Sequence, residues 1–323
     1  MKPRLAASLA VIAAVLSLPA AVRADTPAPP RHPVPNSALA AGLDAVLRPG
    51  SAPAGANDWT CRPVATAPRP VVLVHGLGAS MTSNWHTISP ALANAGFCVF
   101  ALTYGVAPGT PFPLDQIGGL EPIERSAAEL SAFVEHVLAT TGAAEVDLVG
   151  HSEGTVVSRY YLQALDGAAR VHRLVSLTPL YRGTDLLALA SVRALGTSLA
   201  PPLVQLVEGV VGTLCGSCPQ MLTGSPFLDD LNAKGFPAGV AYTNVVTRYD
   251  QLVVPFTSGL EDAEGVDNVV LQDRCVLDLG EHVAVAFDPV ATRAVIDALD
   301  PAAAIPPVCT FVLPFVGSLL PSA

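Results

Sequence analysis

The sequence predicts an α/β chain with a mostly parallel central sheet, helices on both faces of that sheet, and an apolar helical cap or lid insert in its second half. Three observations carry this expectation. Short Val- and Leu-rich runs alternate with helical stretches from about residue 69 to 177, and strands that alternate with helices need crossovers that lay them parallel. The run Val71-Val-Leu-Val74 is apolar at every position rather than at every second one, as a strand covered on both faces is. Finally, of 323 residues 51% are hydrophobic and only 14% charged, against roughly 25% charged in an average soluble domain, which excludes a disordered chain.

The chain opens with Lys2 and Arg4 before the apolar run Leu5 to Ala21, and Val22-Arg23-Ala24 puts small residues before Asp25. Residues 1–24 therefore read as a secretory signal peptide, and the protein as secreted to the extracellular space. The other reading, an uncleaved anchor, is weakened by Ser8, Ser17 and Pro19, so no stable membrane span is expected. Residues 25–58 are a Pro-rich arm carrying one short apolar stretch, Ala38 to Leu47; residues 59–323 form the main domain.

Within that domain the elements follow in order. Arg69-Pro-Val-Val-Leu-Val-His-Gly76 reads as a buried strand, Asn84 to Ala95 as a helix, and Cys98 to Gly105 as a strand. Ile123 to Thr141 places Ile123, Ala127, Leu130, Val134, Val137 and Leu138 on one helical face. Val146 to Gly150 is a short strand, Thr155 to Leu165 a helix, and Val171 to Leu177 a strand. Residues 181–235 break the rhythm: Leu186 to Leu214 holds only two charged residues, Arg193 and Glu208, and is read as the cap or lid. Gly239 to Thr247 and Asn268 to Leu271 resume as strands, Pro289 to Leu299 is the last helix, and the tail from Ile305 packs on the body.

Seventeen basic residues against 27 acidic give a net charge of −10. There is no basic cluster, so nucleic acid is not an expected partner. All six cysteines, Cys61, Cys98, Cys215, Cys218, Cys275 and Cys309, lie beyond residue 24, and an even number in an exported chain implies disulfides. Six cysteines allow 15 pairings; proximity favours Cys215 with Cys218, leaving Cys61 with Cys98 and Cys275 with Cys309 as the simplest set. A redox or zinc reading of Cys215-Gly-Ser-Cys218 lacks a second ligand pair.

Chemistry concentrates at Gly150-His-Ser-Glu-Gly154, a G-x-S-x-G between a strand and a helix. There, glycines two before and two after the serine let the backbone turn sharply and lift Ser152 above the sheet. A serine hydroxyl needs a histidine base and a carboxylate to orient it. His282 falls in the glycine-containing loop before the last helix, where this topology requires the base. His32, His75, His86, His136, His151 and His172 read as ordinary packed or solvated histidines. Asp250 follows a strand between Ser152 and His282 and is the expected acid, ahead of Asp147, Asp185, Asp230, Asp278 and Glu281. Backbone N–H groups of Glu153 and, in His75-Gly-Leu-Gly78, of Leu77 are the expected oxyanion donors. No cofactor and no metal site is assigned, since no clustered Asp/Asn/Gly loop occurs.

These residues resemble a known family, the secreted α/β-hydrolase lipases of actinobacteria often grouped as class 2 triacylglycerol lipases. The likeness runs through Asp58-Trp-Thr-Cys61, Arg69 to Gly76, Asn84-Trp-His, Cys98 to Gly105, Gly150 to Gly154, Thr247-Arg-Tyr-Asp250 and Leu271-Gln-Asp-Arg-Cys275. It implies an α/β-hydrolase fold, Ser152, Asp250 and His282 as a triad, the three disulfides paired as above, and metal-free hydrolysis of lipid-like esters, at a lipid-water interface. The sequence departs from the family where Glu153 replaces the common Gln, placing a carboxyl group beside the oxyanion site. Within the same chemistry a short-chain esterase, a polyester hydrolase or an acyltransferase fits too, and a non-catalytic lipid-binding module is the reading from another class.

Overall fold

In the computed structural model, residues 32–185, 214–314 and 316–318 are described. The proposed signal peptide and the core of the cap or lid insert lie outside them. In chain order the elements are α1 (Ala38–Leu47), β1 (Val71–Val74), α2 (Met81–Asn84), α3 (Ile88–Asn94), β2 (Val99–Leu102), α4 (Ile123–Thr141) and β3 (Val146–His151). There follow α5 (Glu153–Ala164), β4 (Val171–Leu177), α6 (Pro226–Ala233), β5 (Ala241–Val246), β6 (Val266–Val270), α7 (Leu271–Arg274), α8 (Pro289–Leu299) and a small hairpin of β7 (Val312–Leu313) and β8 (Gly317–Ser318).

Six strands form one parallel sheet in the order β2-β1-β3-β4-β5-β6. Its two faces divide each strand by alternation. In β1, Val72 and Val74 join Phe100, Leu148 and Leu174 under α4 and α5, while Val71 and Leu73 join Val149, Val175 and Val245 under α3 and α8. All six residues of the predicted apolar face of α4 are buried. Val, Ile and Leu therefore fill both faces, which accounts for the Val- and Leu-rich strands.

Where the structure differs from the sequence reading, the cause is local. The helix expected over Asn84 to Ala95 is two helices, α2 and α3, broken at Trp85 to Thr87. One continuous helix would hold Pro90 in its interior without an N–H to bond the preceding turn; restarting at Ile88 places Pro90 in the first turn. Inside the 181–235 insert, α6 begins at Ser225, whose side chain accepts from Leu228 N–H, with Pro226 next, a helix start that the sequence displays. The last strand of the parallel sheet spans Val266–Val270 and gives way to α7 at Leu271.

From His32 on, the Pro-rich arm is tied to the sheet domain. Asn57 bonds both backbone groups of Ala101, at 2.9 and 2.8 Å, and Thr87 Oγ1 donates to Pro35 O. Disulfides join Cys61 to Cys98, Cys215 to Cys218 and Cys275 to Cys309. The last lies between α7 and the tail, where Leu279 N–H donates to Val312 O. Among the described residues no helix is long and apolar enough to cross a membrane.

Candidate active site

Parallel strands bring their carboxyl ends to one edge of the sheet, where loops meet. Val74 of β1 pairs with Gly150 of β3, so the loop after β1 and the turn after β3 are neighbours. The turn residue Ser152 has φ +54°, a left-handed value that is costly for a residue with a Cβ. Ser152 N–H donates to Leu177 O at 2.9 Å. The flanking glycines serve a different need. A Cβ on Gly154 would lie 2.1 Å from Val74 O, and one on Gly150 would lie 2.9 Å from Gly154 O. Strain thus falls on the serine itself, and the glycines give the room for α5 to press against β1.

Three predicted residues meet here. His282 Nε2 lies 2.8 Å from Ser152 Oγ, and His282 Nδ1 lies 2.8 Å from Asp250 Oδ2. Side chains of His282 and Asp250 are 4% and 2% exposed, so water screens their interaction little. Asp250 Oδ1 accepts from Leu252 and Val253 N–H at 2.9 and 2.7 Å, which fixes the carboxylate. With Nδ1–H donating to Asp250, the free lone pair of Nε2 faces the serine hydroxyl, the arrangement in which a histidine can take a proton from a nucleophile.

Leu77 lines the adjoining cavity, and Glu153 opens α5. The first N–H groups of a helix have no partner within it. Among the described residues neither Leu77 N–H nor Glu153 N–H donates to another protein group. The loop carrying Leu77 is fixed by Gly78 N–H to Gly118 O and Gly118 N–H to Ala79 O, both 2.9 Å.

Three further residues hold this site and were not singled out for it from the sequence. His75 stacks on Tyr104 with ring centroids 4.2 Å apart, donates through Nδ1 to Gly76 O at 2.8 Å, and accepts through Nε2 from Tyr104 N–H at 3.2 Å. Burial pushes its pKa down to about 4, so the ring is neutral. His151 lies between Asn84 Oδ1, 2.9 Å from Nδ1, and His282 O, 3.1 Å from Nε2. Burial, then the nearby His282, lower its pKa to about 3, leaving one N–H for the two acceptors. Asn84 Oδ1 also accepts Gly76 N–H at 3.2 Å. The motif Asn84-Trp-His was visible as a resemblance, but its role needs the fold.

A cavity of about 570 Å³ opens over Ser152 and His282, with Leu77, Leu180, Met221, Leu222, Leu252, Val253, Val283, Ala286 and Phe287 in its wall. Ala38 and Gly42 of α1 add to it, so the arm shares in the site. An apolar wall around a few polar groups suits an apolar ligand with one reactive polar bond. The other sequence candidates lie elsewhere: Asp147 is 3.1 Å from His172, and Asp278 bonds Gly280 N–H beneath the His282 loop. Cys215 and Cys218 are bonded to each other. Among the described residues no three His, Cys, Asp or Glu side chains gather as a metal site needs.

Known proteins resemble this chain in both fold and sequence. Aspergillus fumigatus lipase B superposes with a TM-score of 0.58 at 18% identity, covering 78% of this chain and 57% of that one. The mature form of Bacillus licheniformis lipase BlEst2 gives a TM-score of 0.50 at 14% identity, covering 76% and 95%. At such identities the likeness is one of fold, the α/β-hydrolase fold. In sequence, triacylglycerol lipases of Pseudarthrobacter phenanthrenivorans and Burkholderia plantarii are each 31% identical over 155 residues, 46% of this chain and 45% and 40% of theirs. The chain thus matches less than half the length of these relatives. A family profile described as Lipase (class 2) matches residues 68–294, a span that holds Leu77, Ser152, Glu153, Asp250 and His282. By that match the chain belongs to the class 2 lipase family.

Proposed function

We propose that the protein is a secreted serine hydrolase that cleaves carboxylic esters with apolar acyl groups, triacylglycerols among them, through an acyl-enzyme. The observation that carries this reading is the unbroken line from Ser152 Oγ through His282 to Asp250, 2.8 Å at each step, at the wall of an apolar cavity. In the first half-reaction Ser152 Oγ attacks the carbonyl carbon and its proton passes to His282 Nε2. The carbonyl oxygen becomes an oxyanion, met by Leu77 and Glu153 N–H, and Asp250 stabilises the imidazolium. Collapse breaks the ester C–O bond as His282 protonates the leaving alcohol. Water, deprotonated by His282, then attacks the acyl-Ser152 carbonyl and releases the acid. Export is supported by the three disulfides and by the opening residues Lys2 to Ala24.

The test compares wild type and Ser152→Ala on p-nitrophenyl esters of increasing chain length and on an emulsified triacylglycerol. Turnover that depends on Ser152 and favours longer acyl chains is expected. Lipid binding without Ser152-dependent turnover would make the chain a binding module, and a preference for acetyl over long-chain esters would make it a short-chain esterase.

A further inference from the structure

Glu153 follows Ser152 and opens α5. The side chain is fully buried, and among the described residues its Oε1 has no hydrogen-bond partner. Its Oε2 lies 3.5 Å from Ser217 Oγ, a long contact, while that hydroxyl already donates its one proton to Gly119 O at 2.7 Å. The carboxyl also presses on main chain: a Cβ built on Gly119 would stand 2.9 and 3.1 Å from its two oxygens and 3.1 Å from Leu77 Cα. Ionising a carboxyl group buried without a donor or a cation is strongly unfavourable.

We propose that Glu153 works as an uncharged carboxylic acid, a positioning residue that braces the turn carrying Ser152 against the loop carrying Leu77 by way of Ser217 and Gly119. The linkage continues through main chain. Ser217 O–H holds Gly119 O; the Gly118–Gly119 segment holds Gly78 N–H and Ala79 O. Ser217 is itself fixed between the bonded Cys215 and Cys218. With the acid protonated, Ser217 keeps its proton on Gly119. If Glu153 ionises, the hydroxyl already against it, that of Ser217, turns to the carboxylate and releases Gly119, and the loop of Leu77 loses a fixed point.

The groups around Glu153 favour the neutral form. Tyr104 is a buried phenol whose O–H donates to His75 O at 2.6 Å, and burial, then the Glu153 and Glu129 carboxyls, raises its pKa well above the usual range. His75 is neutral, Glu129 accepts Gly105 N–H, and the 215–218 loop, Cys-Gly-Ser-Cys, carries no charged side chain. None of these is a cation. Burial accordingly holds the Glu153 carboxyl well above the usual carboxylate range, with Ser217 opposing weakly.

The inference rests on the functional reading above, and its test separates the two. Steady-state kinetics from pH 6 to 10 on wild type, Glu153→Gln, Glu153→Ala and Ser217→Ala are paired with thermal unfolding at pH 4 and 8. Wild-type kcat is expected to fall at alkaline pH with a one-proton inflection that Glu153→Gln lacks. Glu153→Ala and Ser217→Ala should show kcat at least tenfold below that of Glu153→Gln with KM little changed. Superimposable alkaline limbs of wild type and Glu153→Gln, or a Ser217→Ala variant with wild-type kcat, overturn the proposal. Unfolding decides the charge without reference to catalysis: Glu153→Gln should gain in Tm over wild type between pH 4 and pH 8, and an unchanged difference overturns the neutral acid. If Ser152→Ala stays active the functional reading fails, while the unfolding comparison still rules on Glu153.

Discussion

Nε2 of His151 lies 3.1 Å from the main-chain oxygen of His282, so the residue before the proposed nucleophile touches the backbone of the proposed base. The other ring nitrogen reaches Asn84, whose Oδ1 holds Gly76 N–H. One imidazole thus spans the serine turn, the base loop and the loop that leads to Leu77. Losing a buried hydrogen bond of this kind typically costs about 1–3 kcal/mol. Replacing His151 by Phe, which keeps an aromatic ring, should lower kcat about 5- to 150-fold with KM little changed. Steady-state kinetics on one p-nitrophenyl ester would show it.

The same ring has a pH signature. Its folded pKa is depressed to about 3, first by burial, against about 6.5 in an unfolded chain. Below pH 6.5 the unfolded chain therefore binds a proton that the folded one refuses, and stability is lost as pH falls toward 3. By pH 4.5 this amounts to about 3 kcal/mol. His151→Phe has no such loss, so the stability gap between wild type and variant should close on acidification from pH 7.5 to 4.5. Denaturant unfolding at the two pH values measures it; a constant gap contradicts the neutral ring.

Asp250 has two tasks, since Oδ2 faces His282 while Oδ1 holds the N–H groups of Leu252 and Val253. An amide can keep the turn but cannot stabilise an imidazolium or select the same tautomer. Asp250→Asn should lose about 10⁴ in kcat with Tm nearly kept. A Tm collapse would instead make the residue mainly structural.

Gly154 is needed for space, with Val74 O 2.1 Å and His75 O 2.5 Å from the Cβ it lacks. Gly154→Ala must push α5 off β1, at a cost on the order of 4 kcal/mol or more. Loss of soluble, cooperatively unfolding protein is the expected result in a thermal melt.

Much of this site is legible in the sequence because topology orders it. A strand-to-helix turn names Ser152, the end of β5, a strand between Ser152 and His282, names Asp250, and the loop before the final helix names His282. What holds those residues is not legible, because it is built on main-chain atoms: His151 on the carbonyl of His282, Asn84 on the N–H of Gly76, Ser217 on the carbonyl of Gly119. Such partners follow from tertiary approach, not spacing. The broken helix at Trp85 was legible in part, in Pro90, whereas α6 was signalled by Ser225-Pro226 inside a stretch read only for its apolar character. Glu153 was visible as a departure, but whether it carries charge depends on a surrounding that only the fold supplies.

The Cys275–Cys309 bridge anchors the tail strand whose Val312 O accepts Leu279 N–H, three residues before His282. Removing it by the double change to Ser should cost roughly 2–5 kcal/mol and reduce activity near the melting point first. Unfolding curves and activity against temperature, taken together, check this.

The central claim, that Ser152 is the nucleophile of an ester hydrolase, is tested most directly by trapping. A p-nitrophenyl alkylphosphonate should add a single alkylphosphonyl group per chain, located on the peptide containing Ser152, with activity falling in proportion to labelling. Labelling elsewhere with Ser152 unmodified, or full activity in a stoichiometrically labelled protein, would contradict it.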